Sequence, residues 1–210
     1  MLHEFTSTKT FRYKTLGDPR KANNLLFVLH GYGQLSEYFI RKFKNLGEDY
    51  FIVAPEGMHR FYIKGSSGRV GASWMTKEAR EIDISDNLNW LNELDEYLQL
   101  NYNFEKRILL GFSQGGATAA RWYENSTIPF DHLIMWASIF PPDLKINQEM
   151  NKSNSIRNYF VLGKNDPYFN IGEQKNVIDI YYSIGFITRS FVGEHDIETE
   201  TLQTILKEIK

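Results

Sequence analysis

Short unbroken apolar runs alternate along this chain with longer stretches in which apolar residues recur every three or four positions. "NLLFVLHGYG" reads as a buried strand over 25–29 that ends in a glycine-bearing turn, and "YFIVAPEG" as a second strand interrupted at Pro55. Between them, "EYFIRKFKNLG" spaces Phe39, Ile40, Phe43 and Leu46 for one helix face, with Gly47 as a stop. The glycine- and serine-rich stretch 61–73 has no regular period and is expected to be a surface loop. Over 79–100, Ile84, Leu88, Leu91, Leu94 and Leu98 form a stripe that predicts a long amphipathic helix packed on the core. The alternation then continues. "RILLGFS" (strand) leads to "GGATAARWYEN" (helix), and "HLIMWASIF" and "NYFVLGKND" are strands. "NVIDIYYSIG" (helix), "FITRSFVG" (strand) and "ETETLQTILKEIK" (helix) complete the series. This order predicts an α/β fold, a mostly parallel central sheet with helices on both faces. The alternating residues of "HEFTSTKTFRYKTLG" add an antiparallel edge strand or a hairpin.

The 210 residues suit a single domain over 1–210, with an apolar share sufficient for a sizeable core. A net charge of -2 gives no reason to expect a nucleic-acid partner, and the absence of cysteine excludes disulfides and a thiol nucleophile. "MLHEFTSTKTFRYK" carries no apolar signal core and no segment reaches the length of a membrane span, so a cytoplasmic location is expected. Export of a processed form stays open.

In α/β sheets of this kind, function gathers at the carboxyl ends of the strands, which directs attention to "HGYG", "PEG", "GFSQG", "GKND" and "GEHD". Gly111-Phe112-Ser113-Gln114-Gly115 fits G-x-S-x-G between a strand and a helix. A serine lifted on such a tight turn leaves no room for side chains two positions away on either side. The helix that follows points its positive end at the hydroxyl. The serine needs a base, and in this architecture the acid and then the base follow it in the chain. Of the five histidines, only His132 and His195 come after Ser113. His132 opens a strand, whereas His195 lies past the last strand in "GEHD", and is the candidate base. Among Asp131, Asp143, Asp166 and Asp179, only Asp166 directly follows an apolar strand and a glycine; it is the candidate acid. Backbone amides of Gln114 and of Tyr32 in "HGYG" are the candidate oxyanion donors. His30 is expected to shape that loop through hydrogen bonds, and not to act as base. Trp74, Met75 and Tyr168 are candidate substrate contacts, with core packing the competing role for Trp74 and Met75; Tyr168 and Phe169, just after the acid, either flank the site or anchor the loop in the core. Arg69 and Arg80 are expected to be solvated or paired with Glu78 and Glu81, and not to clamp substrate.

With these residues placed, the chain resembles the α/β-hydrolase superfamily. Within it, "VLHGYG", "APEG", "GFSQGG", "GKND" and "GEHDI" are similar to the phospholipase/carboxylesterase family, which includes acyl-protein thioesterases and small bacterial esterases. The resemblance implies a triad of Ser113, Asp166 and His195, oxyanion amides at Tyr32 and Gln114, and no large lid domain. It also implies hydrolysis of carboxylic esters or thioesters, with a small-molecule ester as partner and without cofactor or metal. Glu194 stands where many relatives have glycine, and with Asp196 it flanks the histidine. "SWMTKEARE", within 65–83, is nearer to bacterial carboxylesterases than to eukaryotic thioesterases. The expected activity is cleavage of short to medium acyl esters. Thioesterase or lysophospholipase action, or a non-catalytic binding protein on the same fold, are the alternatives. Pairing of two copies is compatible with the sequence, which carries no pattern identifying an interface.

Overall fold

The computed structural model describes residues 1, 3–144 and 157–209. Its seven-stranded sheet begins at an edge, where β1 (Tyr13–Leu16) runs antiparallel to β3 (Tyr50–Pro55). All four residues of β1 are exposed, as suits an edge strand with one covered side. The next strands are β2 (Asn24–Leu29), β6 (Lys106–Phe112), β7 (His132–Trp136), β8 (Tyr159–Gly163) and β9 (Ile187–Phe191). All run parallel, in the order β1-β3-β2-β6-β7-β8-β9. Every residue of β2, β3, β7 and β8 is buried, which accounts for continuous apolar runs in place of alternation.

The helices are α1 (Ser36–Phe39), α2 (Arg80–Asn101), α3 (Gln114–Asn125), α4 (Ile171–Ser183) and α5 (Thr199–Glu208). The expected helix around Phe39 is short, passing into a 3₁₀ turn over Ile40–Phe43 before Gly47 takes a left-handed φ of 84°. In α2 the buried face is turned from the expected stripe. Trp90, Leu91, Leu94 and Leu98 are buried, while Ile84 and Leu88 sit at its margin. Asp83, Asn87 and Asp95 take up the remaining buried positions because each is hydrogen-bonded. Asp83 accepts from Thr76 N–H (2.9 Å), Asn87 donates to the Trp74 carbonyl (2.7 Å), and Asp95 pairs with Arg107.

One expectation is corrected outright. The stretch 61–73 is largely a hairpin, β4 (His59–Tyr62) against β5 (Val70–Ser73), with Gly65, Ser66, Ser67 and Gly68 in its turn and Gly71 and Ser73 within β5. Four-residue strands are too short for alternation to register. This hairpin joins the loop after β2 through a bridge between Gln34 and Ala72. Lys210, the last residue of the expected terminal helix, lies outside the described residues. No helix among the described residues is long and apolar enough to cross a membrane.

Candidate active site

Ser113 occupies the single residue between β6 and α3, with φ 53° and ψ -122°. That backbone conformation is costly for a residue with a side chain and persists only where its surroundings enforce it. Here Ser113 N–H donates to the Trp136 carbonyl (2.9 Å), and Gly116 N–H donates back to the Ser113 carbonyl (3.0 Å). The flanking glycines are required by space. A Cβ on Gly115 would lie 2.4 Å from the Leu29 carbonyl oxygen, and one on Gly111 would lie 2.6 Å from the Gly116 Cα. Both obstacles involve backbone, so neither can swing aside.

Asp166 and His195 come from adjacent loops at the ends of β8 and β9. Lys164 N–H donates to the Phe191 carbonyl (2.9 Å) and Asn165 N–H to the Gly193 carbonyl (2.9 Å), lacing the two loops together. His195 Nδ1 stands 2.7 Å from Asp166 Oδ2, and Tyr168 N–H donates to the other carboxylate oxygen (3.0 Å). A carboxylate only accepts, so Nδ1 carries a proton, and in the neutral imidazole this leaves the Nε2 lone pair for the serine. The Asp166 side chain is fully buried, and the imidazole lies between the rings of Phe112 (4.8 Å) and Tyr168 (4.5 Å). Ser113 and His195 line one open, mostly apolar depression of about 340 Å³ with Gln114, Ala117, Ile139 and Tyr168.

The loop after β2 lies against the nucleophile candidate. A Cβ on Gly31 would be 3.2 Å from Ser113 Cβ. His30 is buried beneath it, donating from Nδ1 to the Gly31 carbonyl (2.8 Å) and accepting at Nε2 from Gly57 N–H (3.0 Å). Burial lowers its pKa to about 4, against the opposing pull of the Gly31 bond. It is a neutral brace, as expected. Glu56, next to Gly57, accepts from Ser36 Oγ (3.1 Å) and from Arg12 Nε (3.0 Å). Burial pushes its carboxyl up, but the Arg12 contacts and Ser36 more than offset this, holding it below its ordinary range.

The other candidates divide. Tyr168 lines the depression, whereas Trp74 is fully buried below the loop, its indole donating to the His30 carbonyl (2.8 Å). Met75 is half-buried and meets Gln114 through its carbonyl (3.1 Å). Trp74 thus takes the competing role of core packing. Asp196 is ion-paired with Lys42, and Glu194 is exposed. Arg80 pairs with Glu81 as expected, and also with Asp143 (2.6 Å). Asp143 further takes the fork of Arg121 (2.6 and 2.8 Å), which ties α3 to the loop after β7. His132 lies at the opposite, amino end of its strand. Ala137, Ser138 and Ile139 also line the depression and were not anticipated, whereas Phe169, expected beside Tyr168 to flank the site or anchor the loop, lines it too. The first three follow β7 in "ASIF", a strand end with neither glycine nor charge to mark it. Among the described residues, no group of three or more His, Asp or Glu side chains is placed to hold a metal ion.

A serine on a strained turn after the central strand of a mostly parallel sheet, facing an Asp–His pair from two later strand ends, defines an α/β-hydrolase. The chain belongs to the phospholipase/carboxylesterase family, whose model matches residues 16–210. That membership makes it a hydrolase of the carboxylesterase type. The fold is shared with the carboxylesterase of Mesorhizobium loti, at TM-score 0.71 and 15% identity over 94% of this chain and 94% of that one. It is also shared with acyl-protein thioesterase 2 of Zea mays (0.67, 15%, 94% and 97%) and the Bacillus cereus carboxylesterase (0.66, 15%, 95% and 93%). No curated protein sequence gives a significant match.

Proposed function

We propose that the protein is a serine hydrolase that cleaves carboxylic esters of short to medium acyl chains through an acyl-enzyme. The observation that carries this reading is the 2.7 Å Asp166–His195 pair, which faces the same depression as Ser113. With Nδ1–H held by Asp166, His195 Nε2 accepts the Ser113 proton as Oγ attacks the ester carbonyl. The tetrahedral oxyanion is met by the amides of Tyr32 and Gln114. Gln114 opens α3, so its N–H has no acceptor within the helix. The C–O bond to the alcohol breaks, and His195 returns the proton to the leaving oxygen. Water then attacks the acyl-serine by the same steps, releasing the acid and restoring Ser113. Supporting the chain-length range is the modest, apolar and open depression, in which Ile139 and Tyr168 are the large exposed side chains.

Turnover of p-nitrophenyl butyrate by Ser113→Ala is expected to fall by at least about a thousandfold, as removal of a serine nucleophile does elsewhere. A fluorophosphonate probe is expected to label Ser113 in the unmodified protein. Full turnover by the variant, or an adduct on another residue, would overturn the assignment, and absence of labelling would point to a binding protein. Activity across an acyl series is expected to peak at short to medium chains. Faster turnover of matched thioesters or lysolipids would move the assignment to those substrates.

A further inference from the structure

Of the four amides of residues 31–34 in the loop after β2, three are engaged. Gly31 N–H donates to Gln34 Oε1 (3.0 Å), Gly33 N–H to the Ala72 carbonyl (2.8 Å) and Gln34 N–H to the Gly31 carbonyl (3.2 Å). Of these four, Tyr32 N–H is the one with no acceptor among the described residues. The side chain of Gln34 therefore removes the neighbouring amide from competition and closes the turn around the one that stays free. Its backbone does more, since Ala72 N–H donates to the Gln34 carbonyl (3.0 Å) and docks the loop on β5.

The same strand continues to the other side of the site. Gln114 Nε2 donates to Ser73 Oγ (2.9 Å) and the Met75 carbonyl (3.1 Å), while Oε1 accepts from Trp74 N–H (3.1 Å). Residues 72–75 are thus bonded at one end to the loop of Tyr32 and at the other to the side chain of Gln114. These are the two residues whose amides the proposed reaction uses.

We propose that the carboxamides of Gln34 and Gln114 are positioning groups that together fix the spacing between the two oxyanion donors: that of Gln34 closes the turn carrying Tyr32, which the Gln34 backbone carbonyl docks on β5, and that of Gln114 holds the far end of the same strand. This rests on the serine-hydrolase reading. The need for such a brace is physical. Donors must sit about 2.7–3.1 Å from the oxyanion, and Gly-Tyr-Gly is a flexible carrier. A misplacement of about 1 Å can cost about a hundredfold in rate. A carboxamide offers both an acceptor and two donors, so it can bind backbone of either polarity. Isosteric methionine keeps the volume and loses these bonds.

The test measures kcat per phosphonate-titrated Ser113 in Gln34→Met, Gln114→Met and the double variant. Each single change is expected to lower kcat about tenfold or more while KM stays within about twofold. Affinity for a trifluoromethyl ketone, which forms a hemiketal oxyanion, should fall in parallel. The double variant should lose less than the product of the singles, because either change alone already loosens the one donor spacing that both groups set. Native kcat per titrated site in both singles, or a rise in KM alone, would overturn the proposal. Failure of the unmodified protein to be labelled at Ser113 would instead remove the underlying reading. If the variants do not fold, the structure of the phosphonate adduct of the unmodified protein decides. The phosphonyl oxygen should lie within about 3.2 Å of both amides, with the Gly31–Gln34 bond intact. A Gln34 side chain released from Gly31 in that adduct overturns it.

Discussion

His30 can hold only one proton in this fold, because Gly57 N–H donates to its Nε2 and a second proton would have to displace that bond. Burial keeps the folded pKa at about 4, whereas an unfolded chain protonates histidine near pH 6.5. Between these values the unfolded state takes up a proton that the folded state refuses. The stabilisation is complete above about pH 6.5 and is lost as the pH falls, by about 3 kcal/mol at pH 4. His132 acts in the same direction, as burial lowers its pKa too. Urea unfolding of His30→Gln should therefore lose less stability between pH 7 and pH 4 than the unmodified protein; equal losses would contradict this account. At this scale much was legible in the sequence. Ser113 was marked by the glycines its turn requires, and the chain order of acid and base singled out Asp166 and His195 as candidates. Trp74 was not decidable, because an indole beside a site and an indole beneath it have the same local sequence. Its complete burial and its bond to the His30 carbonyl distinguish them.

Between α2 and β6 the packing turns on a buried ion pair. Asp95 meets Arg107, which also donates to the Ile128 carbonyl (2.8 Å) and lies over the Phe130 ring (4.4 Å). Burial pushes the Asp95 carboxyl up, with Arg107 opposing, and burial lowers the Arg107 guanidinium, with Asp95 opposing. Desolvation outweighs attraction on both sides, so the pair is a poor source of net stability. Breaking it is another matter, because one charge would be left buried. Asp95→Ala is expected to destabilise by about 3–5 kcal/mol, and Asp95→Leu with Arg107→Met to be nearly neutral. Chemical denaturation checks both, and a mild single change beside a severe double one would refute the argument. This pair explains why the α2 stripe was only half legible. Periodicity counts apolar residues, and cannot register an aspartate buried because a distant arginine arrives to meet it. The hairpin β4–β5 escaped for a related reason: its strands are fixed by contacts with Gln34 and with each other, not by a periodic run.

Across the whole molecule, the proposed machinery is spread over elements of unequal rigidity. Ser113 directly follows β6, the middle strand of seven, flanked by the wholly buried β2 and β7. The candidate base follows β9, an edge strand that is only partly buried, and the opposite edge strand β1 is exposed throughout. The alternation of elements was legible, but the lateral order of strands was not, since it is set by crossovers that leave no local mark. Local opening is governed by burial and by the number of backbone bonds that must break together. Amide exchange should therefore be slowest at 25–29 and 108–112, and fastest among the strands at 13–16. In the proposed arrangement, a phosphonate on Ser113 offers an oxygen to the Tyr32 and Gln114 amides and fills the space before His195. Its protection should fall on the loops 31–34, 164–169 and 192–197, with the central strands already at their limit. Exchange mass spectrometry of the free and labelled protein would test this. Slowing confined to β2 and β6, with those three loops unchanged, would show that the loops do not converge on the serine.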